Sequence, residues 1–211
     1  MKGECDTKQR LLDTAIELIW EQSYGAVSVD VICERAGARK GSFYHFFPSK
    51  SDLTVAAIEE HWEKLRPELD RMFSPQVPPL ERLSGYCELV YERQSQKKKK
   101  FGRVCGCAFT SLASELSTQD EKIRQKSQQI LDRRCRYFAA ALRDAVREGL
   151  IPEQDCESKA RELFGCVMGV LLEAKIENDL EIIRHLKPTI FRLIGVGEKR
   201  FAGEAALHAK V

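Results

Sequence analysis

The fold of this chain is decided by residues 28–53, which read SVDVICERAGARKGSFYHFFPSKSDL. Ser28 is a good N-cap for a short helix over 29–36, and Gly37 is expected to end it, because glycine readily adopts the left-handed conformation found after helices. A second short helix is predicted over 40–46. A helix, a glycine-containing turn and a second helix make the helix-turn-helix arrangement.

Positive charge is concentrated in the second half of this motif. Residues 35–50 contain four cations, one histidine and no acid, whereas residues 1–34 contain three cations and seven acids. Gly41 and Ser42 are small enough to let the second helix enter a major groove, which is about 12 Å wide. Cations at this position would neutralise phosphates and make binding depend on salt.

The run from Gly37 to Leu53, with KGSFYH over 40–45 and FPSK over 47–50, resembles the N-terminal DNA-binding domain of the tetracycline-repressor (TetR) family. The resemblance extends from about Thr7 to Glu60. It implies an all-α homodimer whose two N-terminal domains read a palindromic, double-stranded operator DNA. It also implies a larger C-terminal domain with a ligand pocket and the dimerising helices.

The resemblance assigns DNA contacts residue by residue. Base edges or adjacent phosphates are assigned to Lys40, Gly41 and Ser42. The DNA backbone is assigned to Tyr44, His45 and Lys50, with Ser28 offering its hydroxyl and amide to a phosphate. Outside the motif, His45 would be interpreted as an ordinary surface histidine, and Phe43, Phe46 and Phe47 are predicted to pack.

Arg39 departs from the family pattern, because the family usually has Ser or Thr at this position to cap the recognition helix. The arginine loses a cap worth about 1 kcal/mol. It adds a cation that can read guanine or hold a phosphate, so we assign it to DNA contact as well.

The whole chain is predicted to be all-α. It has 211 residues, a formal net charge of +2 and 43% hydrophobic residues, which excludes a disordered polyelectrolyte. No apolar stretch is long enough to span a bilayer and no apolar leader is visible, so we expect a cytoplasmic protein without a membrane partner. We predict a helix-turn-helix domain over 1–50 with a linking helix over 49–73, an effector-binding and dimerisation domain over 74–195, and a flexible tail over 196–211.

Five further helices are predicted beyond the proline-rich break at 74–79. Their approximate ranges are 80–96, 108–116, 121–148, 157–177 and 180–194. On the fourth of these, Gly165, Gly169, Leu172 and Ile176 form a stripe that allows close helix approach. With Leu186 and Ile190 of the last helix, this stripe is predicted to form a dimer interface. The alternative is an ordinary intrachain core.

Eight cysteines are scattered along the chain, and without a secretory signal we expect reduced thiols. The segment 102–116 and residues 173–176 resemble the branch of the family that includes the repressor of N-ethylmaleimide reductase, which responds to electrophiles through cysteine. Cys107 and Lys175 are the matching pair, and a thiolate at a helix N-terminus beside a lysine is reactive. The alternative for Cys107 is a small buried hydrophobe.

Cys105 is a possible resolving partner, although Cys105 and Cys107 are too close in sequence to favour an internal disulfide. The pair lacks the further ligands of a zinc site, so no metal or cofactor is expected.

Two other functions stay open. In the first, the regulator binds a reversible apolar or aromatic ligand, without cysteine chemistry, in a pocket lined by Phe109, Tyr137, Phe138, Phe164, Met168 and Leu171. In the second, the chain is a thiol-dependent enzyme. No catalytic base is evident near Cys107, and no phosphate-binding loop or carboxylate pair is present, so we expect no enzymatic activity.

Overall fold

The computed structural model describes residues 2–196, and over this range the chain forms ten helices and no strand. The all-α prediction is confirmed. The predicted tail lies outside the described residues, except for residue 196. The helices are α1 (Lys2–Glu21), α2 (Val29–Ala36), α3 (Lys40–Phe46), α4 (Lys50–Met72), α5 (Pro79–Phe101), α6 (Ala108–Leu116), α7 (Glu121–Arg147), α8 (Cys156–Glu177), α9 (Glu181–Arg184) and α10 (Leu186–Leu193).

Helices α1 to α3 and the start of α4 enclose a small core of their own, which we call the head. Phe43 of α3 is fully buried in this core, together with Leu11, Leu18 and Leu53. The ends of α2 are set by its caps. Ser28 Oγ accepts a hydrogen bond from the Val31 N–H, and Gly37 ends the helix with a φ of 59°.

The remaining helices enclose a larger core, which we call the body. Helix α7 runs through its middle and packs against α4, α5, α6 and α8. Its buried side chains include Ile123, Ile130, Phe138 and Leu142. Helix α4 belongs to both units, because its first turn packs in the head and its later turns pack in the body.

The last predicted helix is in fact two helices, because the chain breaks at His185 between α9 and α10. Pro188 explains the break. Proline has no N–H to donate to the carbonyl four residues earlier, and its ring clashes with that carbonyl. The His185 N–H instead bonds to the Ile182 carbonyl at 3.1 Å, a tighter turn than an α-helix makes.

No helix within residues 2–196 combines the length and the apolar character that a membrane crossing requires.

Candidate functional site

Helix α3 presents a polar face to solvent while Phe43 anchors its other face. Arg39, Lys40, Gly41 and His45 are exposed, and the Tyr44 side chain is 55% exposed. A Cβ placed on Gly41 would meet no atom within 4 Å, so the backbone of α3 is open to close approach at this point. Ser42 is half-buried, and Ser28 is exposed at the start of α2.

The cations around α3 differ in their partners. Lys40 pairs with Asp30 at 2.6 Å, and Arg35 forms two bonds to Glu21 at 2.6 and 2.7 Å. Arg39 makes no side-chain cap bond and no ion pair with the described residues. Positive charge near α3 is therefore partly compensated by acids elsewhere in the head, which the local charge count did not reveal.

Lys50 does not have the geometry predicted for a DNA-backbone contact. Its Nζ donates to the carbonyls of Tyr24 and Val27 at 2.9 and 2.8 Å and lies 3.7 Å above the centre of the Tyr24 ring. Burial lowers the pKa of this ammonium. These contacts of Lys50 hold the turn between α1 and α2 against the start of α4, and its ammonium is directed into the head.

Helix α6 also holds this turn. The carboxylate of Glu115, near the C-terminal end of α6, accepts the backbone N–H groups of Tyr24 and Gly25 at 3.1 and 2.9 Å. The other end of α6 begins directly after Cys107. A single short helix therefore connects the predicted sensing residue to the head.

The loop that carries Cys107 is fixed by reciprocal hydrogen bonds. Gln94 Nε2 donates to the Gly106 carbonyl at 2.9 Å, and the Gly106 N–H donates to Gln94 Oε1 at 3.0 Å. Gly106 has a φ of 67°, and a Cβ there would lie 3.2 Å from Lys175 Cδ and 3.4 Å from the Leu171 carbonyl. Both the backbone angle and the available space therefore require glycine between the two cysteines.

Cys107 differs electrostatically from the other described cysteines. Burial alone would raise its pKa, but the Arg134 guanidinium, the N–H and hydroxyl of Thr110 and the Lys97 ammonium favour the thiolate and lower the pKa below 9.0. The pKa of each of the other six is raised, mainly by burial, and for Cys87 it reaches about 12. Those six are Cys33, Cys87, Cys105, Cys135, Cys156 and Cys166.

The predicted pairing of Cys107 with Lys175 is wrong in this structure. Lys175 Nζ donates to Ser111 Oγ at 3.3 Å on the exposed side of the loop, and only its aliphatic part approaches Gly106. The cations that act on the Cys107 thiol are Arg134 and Lys97. Cys105 is 2% exposed and its pKa is raised, so it is poorly suited to be a resolving thiol.

Cys107 lies on a cavity of about 70 Å³, which we call the inner cavity. Phe109 and Leu171 line it, as predicted. Phe138 and Phe164 do not, because both are 1% exposed and pack in the body core. Tyr137 and Met168 also lie outside its lining. The polar lining residues are His61, Arg93, Gln94, Lys97 and Arg134.

The sequence analysis did not predict that these polar residues line a cavity, and the reason is physical. Lys97 lies just beyond the predicted end of the helix at 96, but α5 continues through Phe101 and turns Lys97 inward. Arg134 lies four residues after buried Ile130 and four before buried Phe138, so it occupies the buried face of α7. The four-residue spacing of Arg134 from two apolar residues was therefore the sequence signal that could have placed it inside the body.

The structure contradicts two residues of the predicted dimer stripe and leaves the others a prediction. Leu172 is 53% exposed and Ile176 is 70% exposed, and a Cβ on Gly165 or Gly169 would meet nothing within 4 Å. Leu186 and Ile190 are wrong, because both are completely buried in the body core. With the helix broken at His185, Leu193 is the apolar residue of α10 that is exposed, at 40%.

Among the side chains that the structure describes, which are those of residues 6–19 and 21–196, no three His, Cys, Asp or Glu are grouped closely enough to hold a metal ion.

Family models match both units of the chain. Residues 11–57 match the model for bacterial regulatory proteins of the tetR family, and residues 79–190 match the model for the tetracyclin repressor-like C-terminal domain. The chain belongs to the TetR family. It is a DNA-binding transcriptional regulator, and the head is its helix-turn-helix domain.

Several relatives span most of the chain. The HTH-type transcriptional repressor NemR of Escherichia coli K12 is 26% identical over 186 residues, which cover 84% of this chain and 88% of NemR. An uncharacterised HTH-type regulator of Lactococcus lactis is 28% identical over 196 residues, covering 90% and 95% of the two chains. The crystal structure of reduced E. coli NemR has the same fold, with a TM-score of 0.78 at 22% identity over 92% of this chain and 99% of that chain.

Proposed function

We propose that this TetR-family regulator is a cytoplasmic repressor that binds a palindromic operator as a homodimer and is released by an effector acting at the inner cavity. The exposed face of α3 carries the DNA-binding part of the proposal. Arg39, Lys40, Gly41, Ser42, Tyr44 and His45 lie on or beside this face, with Ser28 at the neighbouring helix start. We leave Lys50 out of the DNA-contacting set.

Homodimerisation is supported by the exposed apolar stripe on α8. Leu172, Ile176 and Leu193 are three of the four large hydrophobic side chains described as exposed, and they lie on neighbouring helices. An exposed apolar patch rimmed by polar residues is typical of an interface. The open backbone at Gly165 and Gly169 lets a second helix come close.

The dimer is tested by light scattering on the purified protein. Wild type should have the mass of two chains, and Leu172→Asp combined with Ile176→Asp should have the mass of one. Leu172→Met is the matched control, because it keeps the apolar surface and should remain dimeric. A dimer that persists in the double variant would place the interface elsewhere.

Release through Cys107 is supported by the cations that favour its thiolate. In reaction with a peroxide, the thiolate would form an S–O bond and expel hydroxide or alkoxide to give a sulfenic acid. This change at the first residue before α6 would strain the helix that Glu115 joins to the head.

The test follows the anisotropy of labelled DNA from the region upstream of the protein's own gene. Binding should be lost after hydrogen peroxide and restored by dithiothreitol. Cys107→Ser should keep binding DNA in peroxide, whereas Cys105→Ser should respond like wild type. Peroxide-insensitive binding by the wild type would contradict thiol control and leave the DNA-binding role intact.

A further inference from the structure

The inner cavity has an unusual charge balance. Three cations line it, Arg93, Lys97 and Arg134, and no carboxylate does. Arg93 reaches outward to Glu68, so its charge is compensated outside the cavity. His61 also lines this cavity, and its pKa is lowered to about 3, first by burial and then by the cations Arg134, Lys97, Arg93 and Lys64. The imidazole is therefore neutral at pH 7.

Arg134 is poorly satisfied by hydrogen bonds. Its only hydrogen bond within the described residues is from Nη1 to Tyr86 Oη at 3.3 Å, which is long for such a bond. Its Nε is buried and has no partner. A buried guanidinium N–H without an acceptor costs free energy, and a carboxylate is the group that matches the guanidinium fork.

The other part of the wall of the inner cavity is apolar. Leu65, Leu89, Val90, Phe109 and Leu171 supply it, and all five side chains are largely buried. A ligand that satisfies both walls has an anionic head and a short hydrocarbon body. The volume of about 70 Å³ limits that body to a few carbon atoms.

A second space beside the inner cavity lies between α4 and α5. A second, more open cleft of about 420 Å³, which we call the outer cleft, shares His61, Leu89, Arg93 and Lys97 with the inner cavity. Lys100 and Phe101 lie further out along the same cleft. Glu68 and Glu92 also line the outer cleft, so an anion entering there would meet charges of both signs before it reaches Arg134.

We propose that the inner cavity binds a short-chain aliphatic carboxylate, with its carboxylate on Arg134 and Lys97 and its hydrocarbon body against Phe109 and Leu171. This proposal rests on the proposed effector role of the cavity and names the ligand class. The ligand lies beside the Cys107 thiol and the start of α6, so it acts on the same helix as thiol modification does.

The experiment measures thermal unfolding of the full-length protein without DNA. Sodium propionate and sodium butyrate are titrated against sodium chloride at equal ionic strength, and against propionamide, which has the same body without the charge. The melting temperature should rise and saturate with either carboxylate and not with the other two solutes, because a ligand that binds only the folded state stabilises it. Equal responses to carboxylate, chloride and amide would overturn the proposal.

Substitutions at two cations of the inner cavity test whether propionate binds there. Lys97→Gln and Arg134→Gln should each weaken the apparent affinity for propionate at least tenfold, and Lys99→Gln is the control, because Lys99 is exposed on the same helix as Lys97. If Arg134→Gln does not fold, Lys97→Gln still decides the question. Unchanged affinity in Lys97→Gln would overturn the proposal.

A second readout separates this proposal from thiol control. Propionate should slow alkylation of Cys107 by iodoacetamide, because the bound anion occupies the cavity and disfavours a neighbouring thiolate. Cys107→Ser should still be stabilised by propionate. Carboxylate binding can then succeed while peroxide release fails, or the reverse, and alkylation unaffected at saturating propionate would contradict binding in this cavity.

Discussion

The regulator has two clusters of positive charge that are built in opposite ways. Around α3 the cations are exposed, and Lys40 and Arg35 already pair with acids of the head. Around the inner cavity the cations are shielded by the body, and no acid lines the space. Both clusters suit an anion, but they would bind it at different energetic cost.

The difference shows how the same charge serves two kinds of recognition. An exposed ion pair is worth about 0–1 kcal/mol, so Lys40 can exchange Asp30 for a phosphate at little cost. The Arg134 Nε is buried and has no acceptor within the described residues, so an anion would satisfy a donor that the folded chain leaves unbonded. The first cluster favours rapid, salt-dependent exchange and the second favours a selective ligand.

The largest expected effect comes from removing the exposed cations. Arg39→Ala combined with Lys40→Ala should weaken operator binding by about 10²–10³-fold, because a base-reading arginine is worth about 1–3 kcal/mol and a phosphate contact adds to it. Because one phosphate contact is lost, the plot of log affinity against log salt should become shallower by about 1. Both are measured by anisotropy over a range of potassium chloride concentrations.

Asp30→Asn is the informative control for this double variant. It frees Lys40 from its ion pair without removing a cation. Operator affinity should then increase a few-fold. A decrease would mean that Asp30 positions Lys40 for DNA and does not compete with it.

The next effect is on stability at low pH and concerns the shielded cluster. The pKa of His61 is about 3 in the folded protein against an ordinary value of 6.5. Below pH 6.5 the unfolded chain therefore binds a proton that the folded chain does not, so stability falls as pH falls from 6.5 toward 3. The loss is about 1.4 kcal/mol per pH unit, or about 2–3 kcal/mol by pH 4.5.

Urea unfolding of wild type and His61→Gln at pH 7 and 4.5 measures this difference. The variant should lose less stability between the two pH values than the wild type does. His45→Gln is the matched control, because His45 is exposed on α3, and it should behave like wild type. Equal losses in wild type and His61→Gln would mean that the cavity does not hold His61 neutral.

A smaller effect is expected on thiol chemistry. Arg134→Gln removes the largest influence that favours the Cys107 thiolate, so the pKa of the thiol should rise and alkylation at pH 7.5 should slow several-fold. Mass spectrometry of iodoacetamide-treated protein gives the rate for each cysteine peptide. In the wild type, Cys107 should react before the six other described cysteines.

The smallest expected effect distinguishes a change in folding stability from a change in operator affinity at Gly41. Gly41→Ala places a methyl group in open space on α3, so the protein should gain about 0.5 kcal/mol of stability. Operator affinity should fall, because the methyl group stands where the helix must approach DNA closely. Urea unfolding and anisotropy measure the two quantities, and unchanged affinity would show that α3 does not approach DNA at Gly41.

The head could be predicted from sequence almost to the residue because its signals are local. Ser28 and Gly37 set both ends of α2, and Ser49 caps α4 through the Asp52 N–H at 3.1 Å. Each of these contacts spans only a few residues. Lys50 was the exception in the head, since its partners lie more than twenty residues away.

The inner cavity could not be predicted in the same way because its lining comes from five helices. His61, Lys97, Cys107, Arg134 and Leu171 are far apart in sequence and meet only when the body is packed. Resemblance of the segment around Cys107 selected the described cysteine whose pKa is lowered, but it paired that cysteine with Lys175 and not with Arg134 and Lys97. Lys175 shares the neighbourhood of the loop, but its ammonium lies on the other side of Gly106.

In the proposed mechanism, the length of α6 would set the size of the displacement that reaches the head. Its nine residues span about 13 Å at about 1.5 Å per residue, so a tilt of about 10° at the Cys107 end moves the Glu115 end by about 2 Å. Two copies moving in opposite directions would change the separation of the heads by about 4 Å, a tenth of the roughly 34 Å between adjacent half-sites. Leverage of this kind lets an effector of a few atoms misalign two domains that are each far larger than itself.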